Sequence, residues 1–129
     1  MSLSQIKYVK EVVKKYPNIK LLDVQPGDWN KQKSLTVMEN YLQKYKQIDA
    51  VYTADDDMLE GALQAYKESG RKDIKFFLGG GCLKSVIKEI MDDSNPLVKA
   101  DVTYSPSVIA TSISYAVIGV KGEKLNPNV

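Results

Sequence analysis

Apolar positions along the chain alternate between two spacings. Ile6, Val9, Val13 and Tyr16 recur at helical intervals among lysines, and Pro17-Asn18 ends that segment. A short apolar run at 19–25 follows and predicts a strand. Pro26-Gly27-Asp28 turns the chain, and Asp28 is placed to cap a second helix whose buried stripe is Leu35, Met38, Leu42 and Tyr45. Residues 48–52 predict a second strand, which breaks into Asp55, Asp56 and Asp57 and then into a third helix with Leu59, Ala62, Leu63 and Tyr66 inward. Ser69-Gly70 ends that helix as a left-handed cap would. A third strand at 73–78 runs into Gly79-Gly80-Gly81, ahead of a fourth helix with Leu83, Val86, Ile87, Ile90 and Met91 on its apolar side. Val98, Ala100, Val102 and Tyr104 alternate with Lys99, Asp101 and Thr103, the pattern of a strand near a sheet edge. Ser105-Pro106 opens a last helix, apolar at Val108, Ile109, Ile113, Ala116, Val117 and Val120, with Gly122 at its close.

Strands separated by whole helices pair in parallel through right-handed crossovers, so the expected fold is an α/β lobe, a parallel sheet of about four strands with helices on both faces. The 129 residues suit a single domain, with room for one core and not for a second. In such a sheet ligands bind in the crevice beyond the carboxyl ends of the strands. Four turns are expected along that rim: 26–29, 54–57, 79–82 and 104–106.

Charge and composition narrow the chemistry. Eighteen Lys and Arg stand against 16 Asp and Glu, scattered along the chain, which argues against nucleic acid as a partner. The chain has no histidine and one cysteine, Cys82, so histidine catalysis, a disulfide framework and a thiolate zinc site are excluded. No apolar run approaches the roughly 20 residues of a membrane span, and no cleavable apolar segment opens the chain.

Several rim residues carry candidate chemistry. Asp55, Asp56 and Asp57 can hold a divalent cation, accept a phosphoryl group, accept hydrogen bonds from ligand hydroxyls, or cap the helix; Asp55, nearest the strand end, is the one expected to face the crevice. Trp29, the chain's single tryptophan, can stack on a sugar ring or anchor the helix to the core, and Tyr104 has the same choice between lining the crevice and packing. Gly79, Gly80 and Gly81 bare their amides ahead of a helix, but without a following Lys-Ser or Lys-Thr they are not a Walker loop.

Gln25-Pro26-Gly27-Asp28-Trp29, then Val37-Met38-Glu39-Asn40, then Ile48-Asp49-Ala50-Val51-Tyr52 with Asp56, Met58, Gly61-Ala62 and Ala65, and finally Val120-Lys121-Gly122-Glu123, resemble the C-terminal lobe of the ribose-type (type I) periplasmic sugar-binding proteins of ABC importers. The resemblance runs over 6–123. It implies a two-lobed extracytoplasmic parent whose N-terminal lobe is absent from this chain, a sugar held where the lobes close, an ABC permease as partner, and neither catalysis nor a cofactor. It puts Trp29 where an aromatic stacks on the sugar, Asp55 where an asparagine commonly bonds ring hydroxyls, and Tyr104 where glutamine is common. Gly80 stands where ribose binders carry an aspartate, and Gln5 and Ile6 lie where an arginine is frequent. With those departures a different monosaccharide, a polyol or another small polar solute fits as well as ribose. Two other classes share parts of the pattern: the effector-binding half of a lactose-repressor-type regulator, and a phosphoacceptor domain using the aspartate cluster. The latter wants acids at the end of the first strand and a lysine at the end of a later one, where this chain has Gln25 and Tyr104.

Overall fold

The computed structural model describes residues 3–103 together with 113, 116–118 and 120–122. In chain order the elements are α1 (Leu3–Val13), α2 (Lys31–Lys44), β1 (Ala50–Tyr52), α3 (Asp56–Ser69), β2 (Phe76–Gly80), α4 (Lys84–Met91) and β3 (Val98–Val102). The strands form one parallel sheet in the order β1-β2-β3. Helices separate them in sequence, so the expected α/β crossover architecture is present with three strands among the described residues.

The core is built on the α3 stripe. Leu59 is fully buried, Ala62, Leu63 and Tyr66 nearly so, and they meet Leu35 and Met38 of α2 and Phe77 of β2. Burial of these side chains is worth roughly 1.5–3 kcal/mol each and is the main force docking the helices on the sheet. The two helices approach closely because α3 carries Gly61 where it crosses α2: a methyl there would meet the backbone of Lys31 and Leu35. Ser34 Oγ adds a buried hydrogen bond to the Met58 carbonyl at 2.7 Å. At the far end of α2, the Arg71 guanidinium donates to the carbonyls of Leu42, Tyr45 and Lys46 at 2.5, 2.7 and 3.0 Å, taking up acceptors that a helix end leaves orphaned. Asp73 holds that guanidinium and also accepts the Ile48 amide at 2.8 Å, so one arginine ties the end of α2 to the approach of β1.

The structure departs from the sequence pattern in four places. Residues 19–25 form no strand, and the outer edge of β1 has no neighbour among the described residues; Ile19, Leu21 and Leu22 stay exposed. Helix α2 is capped by Asn30, whose side chain accepts from Lys33 N, rather than by Asp28, because Asp28 and Trp29 both adopt φ of 51° and carry the turn two residues further. Strand β2 continues through Gly79 and Gly80, leaving Gly81 at φ 128° to begin the turn. On α4, Val86 is buried but Leu83 and Met91 are exposed, narrowing the expected stripe. Gly70 does end α3 in the left-handed conformation, at φ 68°. The expected last helix falls mostly outside the described residues.

Candidate functional site

Three of the four expected rim turns lie among the described residues, and close approaches bring them to one edge of the sheet. Gly27 abuts Met58 in the first turn of α3; an added Cβ would lie 2.5 Å from the Met58 sulfur. Gly80 abuts the Ala54 carbonyl, which an added Cβ would meet at 3.1 Å, and Gly79 and Gly81 both border the Asp56 carboxylate. The turns at 27–30, 53–56 and 79–82 therefore share a rim, as the crossover geometry requires. Tyr104 lies outside the described residues.

Trp29 is 53% exposed, so its indole is not the core anchor that was its other reading. Its left-handed backbone is unusual for a bulky residue and is held by the Asn30 cap of α2 on one side and the tight packing of Gly27 on the other. Asp28 beside it is paired with Lys33, which pulls the Asp28 carboxyl below its ordinary range.

The three aspartates divide their roles. Asp55 is the N-cap of α3, one carboxylate oxygen accepting Met58 N at 3.2 Å, and it remains half-buried at the rim. Asp57 is exposed. Asp56, not Asp55, is the buried member at 1% exposure, and its Oδ2 accepts the Leu83 amide at 2.6 Å. Burial pushes the Asp56 carboxyl up, a shift that nearby Asp101 reinforces and the Leu83 and Gly80 amides oppose. One glycine amide is less available than the sequence suggested: Gly81 N–H donates to Val102 O at 3.0 Å. What Gly79 and Gly80 provide is room, since any side chain there would strike Asp56, Leu59 or Ala54.

Asp101 was read as the polar side of an alternating strand. In the structure Phe77 pairs with Val98 but Leu78 pairs with Ala100, so β3 carries an extra residue at that point. Such a bulge rotates the side chains that follow it, and both oxygens of Asp101 end buried beside Gly79. Among the described residues no group of three or more His, Cys, Asp or Glu is placed to hold a metal ion, and no helix is long and apolar enough to cross a membrane.

The rim of strand ends on this parallel α/β sheet thus carries an exposed indole, Trp29, and a half-buried carboxylate, Asp55. Residues 2–124 match the periplasmic binding protein domain family, and the chain belongs to that family. It is 32% identical over 134 aligned positions to the galactofuranose-binding protein YtfQ of Escherichia coli K12, covering 97% of this chain and 41% of that protein. It is 36% identical over 91 residues to the ribose import binding protein RbsB of Bacillus subtilis 168, covering 70% of this chain and 28% of that one. Among solved structures, the binding-protein component of the arabinose ABC transporter of Shewanella sp. ANA-3, bound to L-arabinofuranose, superposes with a TM-score of 0.74 at 29% identity, over 95% of this chain and 41% of that chain. The chain thus spans about two-fifths of the length of the galactofuranose-binding protein it matches.

Proposed function

We propose that the chain is the C-terminal sugar-binding lobe of an extracytoplasmic binding protein that serves an ABC importer, and that it forms one wall of a monosaccharide or polyol site. The observation that carries this reading is the 53% exposure of Trp29 on the rim beside Asp55, in a chain that matches a galactofuranose-binding relative over 97% of its length. The indole offers a flat apolar face to the C–H face of a sugar ring. Asp55 keeps acceptor capacity beyond its one bond to Met58 N and can take charge-assisted hydrogen bonds from ring hydroxyls. Tyr104 completes the wall in this reading, and Gly79 and Gly80 keep it open to the ring. The opposite wall is a second, N-terminal lobe, and closure of the two lobes on the solute presents the complex to a membrane permease. No bond is made or broken.

The test is a thermal-shift screen of pentoses, hexoses and polyols on the two-lobed protein, repeated with Trp29→Ala. One sugar or polyol raises the melting temperature, and the substitution removes that rise. A ligand response unchanged by Trp29→Ala would refute the stacking role, and no response to any solute of the panel would refute the sugar reading.

A further inference from the structure

Asp56 and Asp101 form an arrangement that sugar binding does not by itself call for. Asp56 stands at the start of α3, 1% exposed, with Oδ2 bonded to Leu83 N at 2.6 Å. Among the described residues its Oδ1 has no hydrogen-bond partner, and neither has either oxygen of Asp101, although all three atoms are buried. The two Oδ1 atoms border the same spot: a Cβ added to Gly79 would lie 2.9 Å from that of Asp56 and 3.3 Å from that of Asp101. Two ionised carboxylates buried beside one spot, with the Leu83 amide the one donor that reaches them among the described residues, repel each other and forfeit their hydration.

Nothing else among the described residues compensates them. On α3, Asp55 faces the Met58 amide, while Asp57 is exposed and acidic. On α4, Lys84 and Lys88 are exposed; on β3, Lys99 is exposed and reaches Asp93 at 3.8 Å. The 79–82 turn adds only Cys82. A single proton held between the two acids removes the repulsion at once, because it replaces an acceptor facing an acceptor with an O–H···O bond.

We infer that Asp101 is a positioning residue: it shares a proton with Asp56, and the acid pair fixes the glycine turn at the rim by keeping the Asp56 carboxyl on the Leu83 amide. The pair itself is independent of what the rim binds; its effect on affinity rests on the sugar reading. A carboxyl whose folded-state affinity for its proton is raised stabilises the fold at pH below the ordinary aspartate value. That stabilisation is lost as pH climbs through the raised value. Once the proton leaves, repulsion parts the tips of α3 and β3, and the 81–83 turn loses its tether.

The experiment compares wild type with Asp101→Asn, whose amide donates to Asp56 Oδ1 with no shared proton. Urea midpoints are measured from about pH 4 to about pH 9, alongside the carbon-13 titration of the aspartate carboxyls. In wild type one carboxyl titrates above the ordinary range, and the unfolding equilibrium constant rises with pH across that titration, by at most about tenfold per pH unit for one proton. In Asp101→Asn both features vanish. Asp56→Asn, which accepts from Leu83 and donates to Asp101, reports the same flattening from the other side and stands in if the first variant does not fold. Identical pH profiles in wild type and both variants, or aspartates that all titrate normally, overturn the shared proton. In the two-lobed protein, sugar affinity falls with rising pH in wild type and not in Asp101→Asn. If the stability profiles behave as stated but no sugar binds, the sugar reading fails and the acid pair stands.

Discussion

The substitution Gly61→Ala isolates the contact on which the helical layer depends. Gly61 lies within α3 with ordinary helical backbone, so alanine there raises helix propensity by about 1 kcal/mol. Against that, its methyl would press on the Lys31 carbonyl oxygen and sit 3.1 Å from the Leu35 amide nitrogen. Both are backbone atoms of α2, which no rotamer change can move aside. Relief requires α2 to lift from α3, loosening Leu35 and Met38 from Leu59 and Ala62. Overpacking of this kind costs about 1–3 kcal/mol, and because backbone has to shift and core contacts open with it, the net loss expected is about 2 kcal/mol, or roughly 8 °C in a domain of this size. The assay is urea unfolding followed by circular dichroism, with a lower midpoint and an unchanged slope. Gly70→Ala is the control: nothing lies within 4 Å of an added Cβ there, and only the left-handed φ of 68° opposes it, at about 1 kcal/mol. A Gly61→Ala protein as stable as wild type, or more so, would refute the claim that this glycine sets the helix spacing.

Other outcomes are expected from the same packing and charges. Ser34→Ala removes the buried bond to Met58 O and lowers stability by about 1 kcal/mol in urea unfolding. Leu59→Ala empties the centre of the core, from a side chain with no exposure, and costs about 2–5 kcal/mol by the same measurement. The Arg71 guanidinium holds the Asp73 carboxyl down to about 2 from 3.8. This lowered group stabilises the fold above the ordinary aspartate value and loses that contribution as pH falls towards about 2. Arg71→Gln is therefore expected to flatten part of the acid limb of a pH–stability profile, and a profile that keeps its full acid slope would contradict the tie.

How far the sequence speaks for itself differs by element. The stripes of α2 and α3 were plain because helical periodicity reports burial directly when a helix lies on a core, as Met38, Leu59, Ala62 and Tyr66 do. Gly70 was plain because its place after Ser69 demands a left-handed residue. The stretch at 19–25 was not, since strand composition cannot say whether a neighbour is there to complete the ladder. Asn30 displaced Asp28 as cap through two successive left-handed residues that no pattern announces. Asp101 was hidden by the bulge in β3, which breaks the period of two on which the reading of Val98 to Tyr104 relied. Asp56 was picked out with its two neighbours, but which of three consecutive acids caps and which is buried depends on one turn of helix geometry. At the candidate site, Trp29 fell off every helical stripe in the sequence, and in the structure its side chain is exposed.

The central claim is that Trp29 and Asp55 touch one small solute. A crystal structure of the two-lobed protein with a bound sugar or polyol tests it most directly. The account predicts the indole of Trp29 in van der Waals contact with the C–H face of the ring and an Asp55 oxygen within hydrogen-bond distance of a hydroxyl. A solute seated away from the rim formed by residues 27–30, 53–56 and 79–82, with the indole still in solvent, would contradict it.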